Sequence, residues 1–246
     1  MFHVLGIVIA ACVLSVSRTA IAQDNDTNDI LFWYADGNLQ SYNLGSGEYG
    51  ERLSATFFSL ETSPASGVLF GLQAPSAFGF VPGEAEIVRL DFNSRAMTSI
   101  YARNNILGFA VLPDSQRMVV LFLPAEIQSA SEYRSFNPNL LCLLSITDDQ
   151  CRDIELPEDQ YGIVWVTTDR FLVHGQLDDK WFSVDAQTLT PVPFSIEVSV
   201  SSTLDFGSPV EFFAVQAGEA AFGYVNTTTG EFRPYDFAIH WPYPTA

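Results

Sequence analysis

Five times along this chain an apolar run enters a polar turn and leaves in a second run of strand-forming residues: LQSYNLGSGEYGERL, IVRLDFNSRAMTSIY, LCLLSITDDQCRDIEL, WFSVDAQTLTPVPF and FGYVNTTTGEFRPYDF. The turn tips fall near Ser46, Ser94, Asp149, Gln187 and Thr229, a recurrence of roughly 40 to 55 residues. A lone hairpin cannot bury its apolar side, so a hairpin repeated at this interval has to stack on its neighbours. Three of the hairpins follow an inner pair of runs, LGFAVLPDSQRMVVLFLP, YGIVWVTTDRFLVHGQL and FGSPVEFFAVQA, which gives four strands to a unit.

The individual runs are short, rich in Val, Ile, Leu and aromatic residues, and bounded by Gly, Pro, Asp, Asn or Ser. Examples are Ile30–Tyr34, Val68–Leu72, Ile87–Phe92, Met118–Leu123, Leu140–Ile146, Ile163–Val166, Phe171–Val173 and Phe212–Val215; they read as strands. Helix signals are scarce, and the best segment is Pro124–Phe136, where Ile127, Ala130 and Tyr133 share a face. Met118–Leu123 and Leu140–Leu144 are apolar without alternation, as expected of strands whose sheet is covered on both faces.

These units resemble the blades of WD-type and TolB-like β-propellers. Leu112-Pro113-Asp114-Ser115-Gln116-Arg117 is similar to the turn between inner blade strands, and Tyr42-Asn43-Leu44-Gly45-Ser46-Gly47-Glu48 to the outer hairpin. The likeness is one of pattern over most of residues 30–237, without a WD dipeptide in any unit, and carries no family activity with it. It implies an all-β fold: a five-bladed propeller of four-stranded antiparallel blades in one domain, residues 30–246. The first unit lacks an inner strand, and the C-terminal FAIHWP, residues 237–242, is expected to supply it and close the ring, removing exposed edges. The alternative is an antiparallel β-sandwich.

Residues 1–22 place an apolar stretch, Val4–Val16, before Ala20-Ile21-Ala22, the pattern of a secretory signal peptide. Cleavage makes the chain secreted or periplasmic. The alternatives are an uncleaved anchor, since the first residues hold no Lys or Arg, and lipidation at Cys12 within Ile9-Ala10-Ala11-Cys12. No second apolar segment approaches the length of a membrane span. Residues 23–29 form a polar linker; Asp24–Asp29 alternates oxygen side chains but lacks the glycine and glutamate of a calcium loop. In an oxidising compartment Cys142 and Cys151 are expected to form a disulfide; the alternative is two buried thiols.

With 29 acidic against 11 basic residues the net charge is −18, which speaks against nucleic acid or an anionic membrane as partner. No catalytic, cofactor or metal motif is present, and no cofactor is expected. His174, in FLVHG, reads as a hydrogen-bonded structural histidine, and Asp36, Asp114 and Asp169 as turn residues capping their own backbone. Asn25 and Asn226 head glycosylation sequons.

Two connections between second and third strands of a unit are long, Gln73–Ala85 and Pro124–Asn139. Long connections concentrate function, and these hold Phe78, Phe80, Tyr133, Arg134 and Phe136, residue types that anchor interfaces. They are the candidate binding residues of a non-enzymatic binding or scaffold module for a protein or glycan. The alternative function is a carbohydrate-active hydrolase with two carboxylates facing each other in a central channel.

Overall fold

A computed structural model of the chain describes residues 30–35, 38–43, 46–50, 52–54, 57, 59–62, 68–73, 84–91, 96–127, 139–157, 160–167, 169–175, 177–204, 211–216 and 222–235. The leader, the polar linker, the closing segment 237–242 and all five candidate binding residues, Phe78, Phe80, Tyr133, Arg134 and Phe136, lie outside these residues. Two compact units divide the chain, residues 1–103 and 104–246.

Every regular element among the described residues is a strand, and the strands form antiparallel four-stranded sheets. In the first unit, β1 (Ile30–Ala35) pairs β2 (Asn38–Asn43), and the two short strands β3 (Glu48–Tyr49) and β4 (Leu53–Ser54) both lie along β2. The next sheet runs β5 (Ser59–Thr62), β6 (Leu69–Gln73), β7 (Glu84–Asp91), β8 (Ala96–Asn104) in that order. Leu39 of β2 packs with Leu69, Val88 and Leu90 of this second sheet and with Phe57 of the connection between them.

The second unit holds three sheets. One comprises β9 (Ile106–Val111), β10 (Arg117–Phe122), β11 (Leu140–Ser145) and β12 (Gln150–Ile154). Next come β13 (Tyr161–Val166), β14 (Arg170–Gly175), β15 (Lys180–Asp185) and β16 (Pro191–Phe194). The last holds β17 (Val200–Leu204), β18 (Glu211–Gln216), β19 (Phe222–Asn226) and β20 (Phe232–Pro234). Each is a simple meander.

The middle sheet is buried on both faces, and its two-residue periodicity divides the side chains between them. Phe171 and Val173 of β14, with Phe182 and Val184 of β15, pack on Val119, Leu141 and Leu143 of the preceding sheet. Leu172 and Trp181 point the other way, onto Phe212, Ala214 and Val225 of the following sheet. Three sheets stacked in succession are an arrangement that a two-layer sandwich does not provide.

The strand runs read from sequence fall within one to three residues of the observed elements. Two strands escape them: β5, SLET, has a single apolar side chain, and β17, VSSTL, carries three hydroxyl side chains in five residues. Pro124–Ile127 forms a turn closed by the Ile127 amide on the Pro124 carbonyl at 3.2 Å; the rest of the segment expected to be helical lies outside the described residues. No helix among the described residues is long and apolar enough to cross a membrane.

Cys142 on β11 and Cys151 on β12 form a disulfide. Their register places Cys142 opposite Asp153 and Cys151 opposite Leu144, so the bridge runs diagonally across the hairpin.

Candidate functional site

Within each sheet of the second unit the meander sends the connection between second and third strands to one end. Tyr161, Gly175, Lys180 and Phe194 mark that end of the middle sheet. Hydrogen bonds join the corresponding ends of adjacent sheets into a common rim. Asn139, just before β11, accepts from the Tyr161 amide at 2.7 Å and donates its Nδ2 to the Tyr161 carbonyl at 2.7 Å. Asp179, just before β15, accepts from the Ser199 hydroxyl at 2.8 Å. In both cases the residue preceding a third strand grips the start of the next sheet.

Around Asp179 the rim is tightly organised. Its backbone is left-handed, φ 51°, a conformation that Asp tolerates better than most residues. This turns the carboxylate back over β14, where Oδ1 lies 2.8 Å from His174 Nε2 while Oδ2 takes the Ser199 hydroxyl. His174 stands opposite Trp181 in the β14–β15 register, and the two rings stack at 4.3 Å and 18°. Trp181 in turn stacks on Phe212 of β18 at 5.7 Å. Burial works to raise the Asp179 pKa, but the bonds from Ser199, His174 and the Trp181 side chain outweigh it and hold the carboxyl below its ordinary value.

Ser199, Asp179 and His174 are the residue types of a nucleophilic triad in an order that cannot perform its chemistry. A nucleophilic serine gives its proton to the histidine, which the carboxylate steadies from behind. Here the carboxylate stands in the middle and takes the serine hydroxyl itself. The histidine, hydrogen-bonded and stacked, has the structural part read from the sequence.

Beside this cluster opens a groove of about 560 Å³. Trp181, Phe194 and Ile196 line it together with Asp179, Glu197 and Ser199. Glu197 is held by its own contacts with the last hairpin, its amide on the Gly230 carbonyl at 3.2 Å and its Oε2 accepting from the Phe232 amide at 3.1 Å. Along the same rim large apolar side chains face solvent: Leu140 at the start of β11, Leu177 in the β14–β15 connection, Phe222 at the start of β19 and Tyr235 just after β20.

The opposite ends carry turns stabilised from within. Asp114 accepts from the Gln116 and Arg117 amides and pairs its second oxygen with the Arg117 guanidinium at 2.7 Å. Asp185 accepts from the Gln187 and Thr188 amides, which lowers its pKa, and Asn226 serves the Thr228 and Thr229 amides. Asp114 is thus occupied as a turn residue; Asp36 lies outside the described residues. The rim staples Asn139 and Asp179 were not recognised from sequence. Their one signal was position, a polar side chain immediately before an apolar strand.

No family model and no curated protein matches the chain. Solved structures do. A prolyl endopeptidase superposes with a TM-score of 0.58 at 16% identity, covering 85% of this chain and 34% of its own. An oligogalacturonate lyase in complex with manganese gives 0.61 at 13%, covering 83% and 61%. TolB from Acinetobacter baumannii gives 0.57 at 11%, covering 80% and 48%. The chain therefore spans between about a third and three fifths of these structures' lengths. At such identities the likeness concerns the fold alone, and it shows that this chain has a TolB-like β-propeller fold at the coarse level.

Proposed function

We propose that the chain is an exported five-bladed β-propeller, its ring closed by residues 237–242, that acts as a non-enzymatic binding module for a protein or glycan. The contact surface is the rim described above. The observation that carries this reading is the row of solvent-facing Leu140, Leu177 and Phe222 on successive sheets beside an aromatic-walled groove. Soluble proteins seldom leave apolar side chains clustered on one edge without a use.

The long β10–β11 connection starts and ends at this rim, and the β6–β7 connection holds the equivalent place in its own sheet. In a closed ring the two are neighbours, bringing Phe78 and Phe80 beside Tyr133, Arg134 and Phe136. The Asp179 cluster supports a binding rather than a catalytic reading, because each member is committed to holding the rim together.

The test is an affinity isolation run in parallel with the wild type and with a Phe78→Ala, Phe80→Ala, Tyr133→Ala variant, followed by titration of the recovered ligand. Loss of binding with an unchanged melting temperature is the expected result. A ligand held equally by both proteins overturns the assignment of the surface. Export is checked by N-terminal sequencing of the mature chain, expected to begin at Gln23.

A further inference from the structure

Sheet edges invite pairing by other chains, and proteins blunt them with prolines, charges, short strands or interruptions. Four outer edges here follow that rule. The outer position beside β2 is broken into β3 and β4, two residues each. In β12 the sequence QCRDI sets Arg152 and Asp153 side by side. Strand β16 is PVPF, whose Pro191 and Pro193 have no N–H to offer a further strand. Strand β20 is three residues long and ends on Pro234.

Strand β8 does not. It is the outer strand of its sheet, nine residues long, AMTSIYARN, with no proline and a single charge, Arg103, near its end. Ala96, Met97, Thr98 and Ser99 are all exposed. Successive side chains of a strand point to opposite faces, so four exposed in a row mean that neither face of this stretch is covered.

We propose that the edge of β8 is a strand-addition site, which takes an extended, basic segment of a partner protein as a further antiparallel or parallel strand. Backbone hydrogen bonds would supply the affinity, with side-chain selection on the two open faces. The partner's sign follows from charge. The chain carries −18, so two copies brought edge to edge repel across a distance shorter than the screening length, whereas a basic segment is drawn in. The strand's one cation lies at its end, the Arg103 guanidinium donating to the Tyr101 hydroxyl at 3.3 Å, and residues 97–100 carry no charge to oppose a lysine or an arginine.

The probe is a labelled seven-residue peptide, Lys-Thr-Val-Thr-Val-Thr-Lys with blocked ends, titrated against the full chain by fluorescence anisotropy. Three further peptides accompany it: one with glutamates for the lysines, and two N-methylated at alternate residues in the two phases. The expected result is binding of the basic peptide that weakens with salt and slows exchange of alternate amides between 97 and 102. One N-methylated phase and the acidic peptide are expected to bind at least about tenfold more weakly, the loss of two or three ladder hydrogen bonds or of charge attraction.

Substitution provides the second arm. Of the neighbours Ser99 and Ile100 one amide faces β7 and the other faces outward, so one of Ser99→Pro and Ile100→Pro retains the wild-type melting temperature. That variant is expected to lose the peptide. The proposal is overturned by no binding up to millimolar peptide, by equal binding of all four peptides, by protection outside β8, or by a dimer in solution whose cross-links map to β8. None of these outcomes bears on the rim.

Discussion

Asn139 and Asp179 hold equivalent places in adjacent sheets: each immediately precedes a third strand and each bonds to the first residues of the sheet that follows, Tyr161 and Ser199. The two differ in burial. Asn139 is 9% exposed, whereas the Asp179 side chain is 47% exposed. One staple therefore acts mainly through stability and the other through its response to pH.

Asn139→Ala leaves the Tyr161 amide and carbonyl without their partner in a buried site. Each orphaned group costs about 1–3 kcal/mol, so the unfolding free energy is expected to fall by about 2–4 kcal/mol in a urea titration. Asn139→Asp retains the acceptor for the amide but sets an anion against the Tyr161 carbonyl, and is expected to recover little.

Asp179 has a folded-state pKa below the ordinary carboxylate value of 3.8. The unfolded chain consequently takes up its proton first as the medium is acidified. The stabilisation from Asp179 is complete above the ordinary value and disappears as pH drops through the depressed one. Unfolding free energy measured across this acid range is expected to decline more steeply for the wild type than for Asp179→Asn, with Ser199→Ala intermediate. Identical slopes in wild type and Asp179→Asn would remove the electrostatic account. Asp185, lowered by its turn bonds, contributes in the same direction and persists in the Asp179 variant.

Cys142 and Cys151 close a loop of sequence separation 9. For a loop this small the chain-entropy model gives about 2–3 kcal/mol. The Cys142→Ser, Cys151→Ser double variant is expected to lose that much in denaturant and to show no further change on adding reductant, while the wild type loses it only with reductant present.

Gly47 and Gly230 share a left-handed backbone, φ 73° and 74°, but not their surroundings. A Cβ on Gly47 meets only the Tyr42 hydroxyl at 3.7 Å, whereas on Gly230 it meets the Ser195 carbonyl oxygen at 1.8 Å. Gly47→Ala is expected to cost only the conformational penalty, about 1–2 kcal/mol. Gly230→Ala must also displace the connection from β16 to β17, and is expected to cost about 3 kcal/mol or more. Thermal melts of the two variants side by side check the order; a larger drop for Gly47→Ala would contradict it.

The strands were legible in sequence wherever apolar residues were dense, as in β10 and β11, and the hairpins because their turns are polar, four of the five opening on Asn43, Asp91, Asp185 or Asn226. Strands β5 and β17 were not, because SLET has only one apolar side chain and VSSTL only two. The rim staples lay beyond sequence reasoning for another reason. Asn139 and Tyr161 are 22 residues apart, and only the stacking of two sheets makes them neighbours. His174 could be read as structural, but not its carboxylate partner, since that contact depends on the left-handed turn at Asp179.

The double-sided burial of β14 raises a question of alignment. In a sheet wet on one face, sliding a strand by one residue throws its apolar set into water, and hydrophobicity alone forbids the slip. In β14 such a slip would bring Leu172 to the face that Phe171 and Val173 occupy, oil for oil, and the transfer penalty falls only on Arg170 and His174 at the strand's polar ends. What tells the correct alignment from the shifted one is then the polar end of the strand: only in the native frame does His174 meet both Trp181 and Asp179. A stacked, hydrogen-bonded histidine thus sets the frame in which the central sheet is read.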